Sequence, residues 1–260
     1  MIEKETNGLK YIQFSSFPEE HHFHGIFTRS GGVSPHPFES LNIGGTTGDS
    51  RENVIENRKR IFDVFNRKEN TLFDVWQVHG SDIIVTDKAR PPSTPHLPAD
   101  GILTNSPNVT LLMRFADCVP ILLFDPQKKV VGVAHAGWQG TIKKVSQTII
   151  KKMVEFYNCK PADIYAGIGP SIGPDHYDVG KTVIDAVNEH LPDIRDEILS
   201  YTHGKTILNL WKANLLLLQD VGLKNIEISE ICTSCNIKDW YSYRSEGQKS
   251  GRFAVVIGLS

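Results

Sequence analysis

No apolar run in this chain approaches the roughly 18 residues that a bilayer span requires. The N-terminal stretch MIEKETNGLKYIQFSS also lacks the apolar segment of a secretory signal. Both absences lead to the expectation of a cytoplasmic protein without membrane contact. Net charge is nearly absent too: 28 Lys and Arg against 30 Asp and Glu leave −2. No global field therefore gathers nucleic acid or anionic lipid, and any anion site must be local. Cysteine is scarce, at Cys118, Cys159, Cys232 and Cys235 only. In a reducing compartment these are expected to be thiols, metal ligands or nucleophiles rather than bridges. No internal repeat, low-complexity tract or linker divides the chain.

What is present is an ordinary globular composition, 40% apolar and 22% charged, enough for one sizeable core. HFHGIFT, from residue 22, has the texture of a short strand, and RSGGVSPHPFESLNIGGTTGDS after it is a 22-residue loop. Irregular loops of that length are often functional. Asp49 and Ser50 can cap a helix to about residue 66, with Val54, Ile55, Ile61, Phe62 and Phe65 on one apolar face. From 71 to 135 come short β-rich runs, LFDVWQVHG, SDIIVT, DGILTN, NVTLLM, VPILLFD and VVGVAHAG. A helix of about 18 residues is expected from Gly140, because Ile142, Val145, Ile149, Met153 and Phe156 recur at helical spacing. DIYAGIG then leads into the Gly/Pro-rich PSIGPDHYDVG; KTVIDAVNEHL and NLWKANLLLLQDVG read as helices, IEISEICTSC and RFAVVIGL as late strands. The pattern predicts an α+β fold: one large domain, residues 1–260, with a mixed β-sheet core flanked by helices.

One strand carries an oddity. Asp117 and Cys118 precede the apolar run VPILLFD and Pro120 interrupts it, where it is expected to end pairing at that edge. An acid and a thiol at the start of a core strand need an interior partner or a role. His79 in WQVHGSD and His135 in VAHAGW also stand at ends of predicted strands, 39 residues before and 17 after Cys118. Only tertiary structure can assemble residues so separated. Two imidazoles and a thiolate leave zinc an open fourth position, and copper or iron accept the same donors. The trio equally describes a thiol nucleophile with a histidine base, oriented by Asp117 or another acid; each residue alone can be an ordinary core residue. CTSC at 232–235 has the gap of a zinc half-site or a redox dithiol, but no second CxxC or HxxxH accompanies it, and a structural role is expected. Arg29, Arg58, Arg244 and Arg252 lie in or beside polar, Gly-rich stretches, where guanidinium can grip phosphate. Asn42 and Gln77 carry the paired donor and acceptor that read a base or ribose edge. GIGPSIGP lacks the lysine of a phosphate loop, so a loop shaping a substrate site is expected.

Together HGIFTRSGGVS, SLNIGG, ENVIENR, WQVHG, ADGILT, ADCVPILL, AHAGWQGT, GIGPSIG, CTSC and SYRSEGQKSGRFAVVIGL resemble the YfiH/YlmD family, in order, from about residue 20 to the C-terminus. That family was described first as polyphenol oxidases or laccases and later as purine nucleoside phosphorylases. The resemblance implies a zinc site on His79, Cys118 and His135, both metal-binding and catalytic, with copper the lesser candidate. It also implies phosphorolysis of adenosine, inosine, guanosine and methylthioadenosine, with adenosine deamination beside it. Purine nucleosides and phosphate are then the partners, with Asn42, Arg58, Gln77 and Arg244 as candidate substrate-binding residues. A laccase would need several copper ions and repeated HxH pairs, whereas this chain has ten His and one such pair, His22 with His24. Many relatives carry Cys in the loop occupied here by Ser171, and Cys or an aromatic near Asp175 and His176, which bears on any mechanism needing a thiol there. Two rivals stand beside this reading. One is a cysteine hydrolase or amidase using Cys118 with a His base, as in editing of peptidoglycan precursors; the other is a non-catalytic, zinc-dependent purine-binding protein.

Overall fold

The computed structural model describes the whole chain, Met1–Ser260. It opens with strands β1 (Ile2–Thr6), β2 (Leu9–Gln13) and β3 (His22–Phe27) and helix α1 (Arg51–Val64). Then come β4 (Leu72–Phe73), β5 (Ile83–Val85), β6 (Gly101–Thr104), β7 (Thr110–Phe115), β8 (Val119–Asp125) and β9 (Val130–Ala136). Helices α2 (Trp138–Ile142) and α3 (Val145–Tyr157) precede β10 (Tyr165–Ile168), α4 (Lys181–His190) and the short α5 (Arg195–Ile198). The hairpin β11 (Leu199–Thr202) and β12 (Lys205–Leu208), helix α6 (Leu210–Asp220), strand β13 (Asn225–Ile228), the single turn α7 (Tyr243–Glu246) and β14 (Phe253–Leu259) complete it.

Two six-stranded sheets, ordered β1-β2-β3-β14-β7-β4 and β13-β10-β8-β9-β6-β5, share one apolar interface. Both are mixed: β8 is antiparallel to β9 and β10, whereas β4 with β7, β5 with β6 and β10 with β13 are parallel. Strand alternation decides what fills each layer. Along β7, Leu111, Met113 and Phe115 pack between the sheets with Leu122 and Phe124 of β8. Leu112 goes the other way, to Ile61 and Phe62 of α1. On the far side, Ile121 and Leu123 of β8 meet Ile149 and Met153 of α3. The result is a helix, sheet, sheet, helix stack in which central strands are covered on both faces. VPILLFD is a continuous apolar run because neither of its faces meets water. Each fully buried aliphatic side chain of this kind contributes about 1.5–3 kcal/mol.

The expected α+β architecture with a mixed core is what forms, with local differences. Helix α1 starts after Ser50, whose hydroxyl accepts from the Asn53 amide, but Ile55 faces solvent. The single helix expected from Gly140 is two, parted at Lys144 with φ of 59°. Gly140 lets α2 approach the carbonyls of His135 and Gly80, and the chain must then turn for α3 to lie on the sheet. Apart from an isolated bridge from Trp76 to Pro98, the only strand within LFDVWQVHG is Leu72–Phe73. There the chain leaves the sheet, because the buried Asp74 carboxylate takes Arg90, Arg114 and His96. His79 consequently sits on a loop rather than at a strand end. Pro120 does not end pairing: it lies inside β8 opposite His135, and its carbonyl accepts from the Gly169 amide. The N-terminal β1–β2 hairpin was not expected; it turns at Asn7-Gly8, both at positive φ. No helix is long and apolar enough to cross a membrane.

Candidate active site

The structure brings His79, Cys118 and His135 together, with one ligand atom of each within 4.8 Å of the others. Backbone pairing explains two of them. The antiparallel register sets Val119 opposite Ala136 and Pro120 opposite His135, so Cys118, just before β8, meets the end of β9. Asp117, at φ of 78°, makes the turn that leads into it. His79, at φ of 56°, arrives from the loop that leaves the sheet at Asp74.

The residue that organises the trio is Asp100, at the start of β6. Its Oδ1 accepts the His79 amide at 3.0 Å and His135 Nδ1 at 2.8 Å. Its Oδ2 accepts the amides of Gly80 at 2.6 Å and Val78 at 3.2 Å. With Nδ1 donating to Asp100, His135 is left with Nε2 toward Cys118, so the carboxylate sets both ring orientation and tautomer. His79 faces the sulfur with Nδ1: a Cβ placed on Gly137 would stand 2.8 Å from Cys118 Sγ and 3.1 Å from His79 Nδ1. Gly137 has φ of −65° and ψ of 175°, which any residue adopts; glycine is required there by crowding, not by backbone conformation.

Charge follows from these contacts. Burial pushes the Cys118 thiol up, but the charge on His135 and hydrogen bonds from His135 and His79 outweigh it and bring the thiol down to about 6. Burial pulls His135 down, and the Cys118 thiolate and the Asp100 hydrogen bond overcome it, raising His135 to about 9. The two form a thiolate–imidazolium pair, each favouring the other's charged form. Asp100, which burial alone would raise, is held below the usual carboxylate range by His135 and the Gly80 amide. Cys159 behaves oppositely: burial, then the neighbouring Asp125, push its thiol up, away from reactivity. A thiolate and two imidazoles beside a gap kept open by Gly137 fit a single borderline-soft ion such as zinc. The HxH pair is not part of this. His22 Nε2 bonds His24 Nδ1 at 3.0 Å, and His24 Nε2 accepts the Phe14 amide at 2.8 Å, inside the core.

The trio opens onto a cavity of about 760 Å³, walled by Trp76, Tyr177 and Tyr243 and by Arg114, Arg244 and Arg252, a size suited to a small-molecule ligand. The other candidate residues are placed variously. Gln77 lines the cavity, but its amide is occupied both ways by the Arg114 backbone. Arg244 lines it too, with its guanidinium on the His176 carbonyl and Asp178. Two candidates lie outside the cavity lining. Arg58 on α1 is paired with Glu69. Asn42 is fully buried, giving both amide hydrogens to Thr47 and Asp49 while its oxygen takes the amides of Gly44 and Arg252. With both its amide hydrogens and its oxygen used in shaping the long loop, Asn42 has no group left for a ligand. Arg29 is likewise held by Glu246 and the Ile237 carbonyl. Asp117 accepts the Thr233 hydroxyl and the Arg244 amide, both at 2.6 Å, and so ties two later segments to the start of β8. Asp100 and Arg114 were not among the expected residues. The only sequence trace of Asp100 is the acid at the start of ADGILT.

Residues 23–260 match a family model described as multi-copper polyphenol oxidoreductase laccase. The chain is 40% identical over 244 residues to a Bacillus subtilis protein named purine nucleoside phosphorylase YlmD, covering 90% of this chain and 87% of that one. Among solved structures, Bacillus licheniformis YfiH shares the fold with a TM-score of 0.90 at 33% identity, covering 98% of each chain. YlmD from Geobacillus stearothermophilus has a TM-score of 0.88 at 32% identity, covering 98% of this chain and 97% of that one. With a family model spanning most of its length and relatives this similar in sequence and fold, the chain belongs to the YfiH/YlmD family.

Proposed function

We propose that this chain is a zinc-dependent purine nucleoside phosphorylase that cleaves adenosine, inosine, guanosine and methylthioadenosine with phosphate to free base and ribose 1-phosphate, and that it also deaminates adenosine. Relatives named purine nucleoside phosphorylase support the reaction class. The observation that carries the reading is one cavity holding both the His79–Cys118–His135 cluster and Arg252. Arg252 has no carboxylate partner; its guanidinium bonds to the protein run from Nη1 alone, to the carbonyls of Ser250 and Gly251. Its remaining donors are suited to a phosphate.

His79 Nδ1, Cys118 Sγ and His135 Nε2 would hold zinc, which when bound supplies an electrophile able to polarise an oxygen of phosphate, ribose or water. The chain's own residues do the rest. Asp100 keeps His135 in the tautomer whose Nε2 is free to ligate. Arg252 holds phosphate, so that attack at the anomeric carbon begins from a fixed geometry. The rings of Trp76, Tyr177 and Tyr243 give the base an apolar surface to stack on.

Product analysis tests this. Adenosine with phosphate should yield adenine and ribose 1-phosphate, with inosine as the deamination product. Adenine release that does not depend on phosphate would sink the phosphorolysis. Arg252→Gln should raise the KM for phosphate roughly 10- to 100-fold, as expected from losing charged hydrogen bonds worth about 1.5–3 kcal/mol.

One observation favours a second reading: Asp100, His135 and Cys118 stand in the acid, imidazole, thiol order of a cysteine hydrolase. Amide hydrolysis that survives chelation selects it; activity lost on chelation selects the metalloenzyme.

A further inference from the structure

A second cluster of ligand-type side chains lies behind the cavity wall. Parallel neighbours β10 and β13 send their following segments out at the same end of the sheet, where Ser171 and Cys232 bridge. The first segment carries Asp175 and His176, the second Cys232 and Cys235, and one ligand atom from each of the four lies within 4.8 Å of the others. His176 Nδ1 is 3.7 Å from Cys232 Sγ, 3.4 Å from Cys235 Sγ and 3.1 Å from Asp175 Oδ2. Asp175 Oδ2 is 2.7 Å from Cys235 Sγ.

We propose that Asp175, His176, Cys232 and Cys235 form a second, structural metal site that takes zinc and ties these two segments together. Metal–ligand bonds of about 2.0–2.3 Å place tetrahedral ligands roughly 3.3–3.8 Å apart. Both sulfur–nitrogen separations already have that spacing, and the carboxylate has to move outward by only a fraction of an ångström. The donors are two sulfurs, one imidazole and one carboxylate, and the CxxC spacing is that of a zinc half-site. Four protein donors leave no open position, so the role is structural. Two further features suit a bound cation. The Gly173 amide donates to Cys232 Sγ at 3.2 Å, and a side chain on Gly173 would collide with Asp175, Trp211 and Cys232, so glycine permits that approach. No Lys or Arg pairs with Asp175; nearby Arg244 goes instead to Asp178 and the His176 carbonyl. Because the same segments carry Tyr177 and Arg244, the ion would fix one wall of the cavity.

The site is separate from the His79 cluster and is tested with that cluster disabled. Full-length Cys118→Ala protein, loaded with ZnCl2 and dialysed, is assayed for bound metal, and its Co2+ form for a thiolate charge-transfer band. The expected result is about one zinc per chain and a clear band. Both should be lost in Cys118→Ala/Cys235→Ser and in Cys118→Ala/His176→Gln, with zinc affinity at least 100-fold weaker. Cys235 and His176 are exposed, so these changes spare the core. Unchanged zinc content in those variants overturns the proposal, as does a zinc-free Cys118→Ala protein or a Cys232–Cys235 disulfide in the freshly purified chain.

Discussion

Asp100→Asn removes a single charge and almost no volume, so its effect isolates what the carboxylate accepts. In the native site four donors converge on it, two on each oxygen: His79 N–H and His135 Nδ1 on Oδ1, Gly80 and Val78 N–H on Oδ2. Asparagine offers one oxygen and one NH2, so two of the four donors lose their acceptor whichever way the amide turns. If NH2 replaces Oδ2, it confronts the Gly80 and Val78 amides and the loop carrying His79 is loosened. If it replaces Oδ1, His135 must shift its proton to Nε2 to accept at Nδ1, and Nε2 ceases to be a ligand. A fully buried donor left without a partner costs about 1–3 kcal/mol; Val78 and His79 are exposed and Gly80 half-buried, so water takes up part of that cost and roughly 1–3 kcal/mol of stability should be lost. For a chain of this size that lowers Tm by roughly 2–12 °C. Zinc affinity should fall about 10- to 100-fold, as for other residues that orient a ligating histidine. The assays are urea and thermal denaturation with zinc titration of the metal-free protein. A variant with native stability and zinc affinity within twofold of wild type would refute the role assigned to Asp100. Because its folded pKa is lowered, the stability this carboxylate contributes is complete above the unfolded value near 4 and is lost as pH falls below it.

Alkylation of Cys118 by iodoacetamide in chelator-stripped protein should rise with an inflection near pH 6, where the thiol ionises. An inflection near 9.0, the ordinary thiol value, rules out the thiolate–imidazolium pair. Gly137→Ala should leave the fold intact while displacing the Cys118 sulfur, cutting zinc affinity and turnover at least about 10-fold; native zinc binding by a folded variant argues against the crowding. His22 and His24 are both depressed by burial, to about 4 and about 3 from 6.5. Their neutral forms are required in the core, so stability is complete above pH 6.5 and falls as pH drops below it, by about 2 kcal/mol per histidine at pH 5. Urea denaturation at pH 7 and pH 5 reads this directly, and a flat profile contradicts it.

Much of the fold was legible because burial leaves a pattern. Runs such as VPILLFD and RFAVVIGL announce strands covered on both faces, and they are β8 and β14. The β1–β2 hairpin was not expected, although its Asn7-Gly8 pair suits a tight turn. The break at Lys144 was not legible, because the helical spacing runs on across it from Ile142 of α2 to Val145 and Ile149 of α3. Within the site, residue type pointed to His79, Cys118 and His135. It did not show that Asn42 and Arg58 lie outside the cavity lining, Asn42 with its amide hydrogens on Asp49 and Thr47 and Arg58 paired with Glu69. CTSC looked like half a site without a partner because its partner is the adjacent pair Asp175 and His176, which no spacing rule flags.

By itself, the sequence determined which side chains are apolar, which can ligate or ionise, and which stretches alternate, and therefore the mixed-sheet core and the thiols and imidazoles available to a site. Only the tertiary structure decided their partnership. The register of β8 against β9 sets Cys118 beside His135, and the exit of the chain from the sheet at Asp74 delivers His79. Asp100, 21 residues from His79 and 35 from His135, then turns their rings. Chemical type is a local property of a residue, whereas a shifted pKa or a ligand set depends on distances of a few ångströms, which only folding closes.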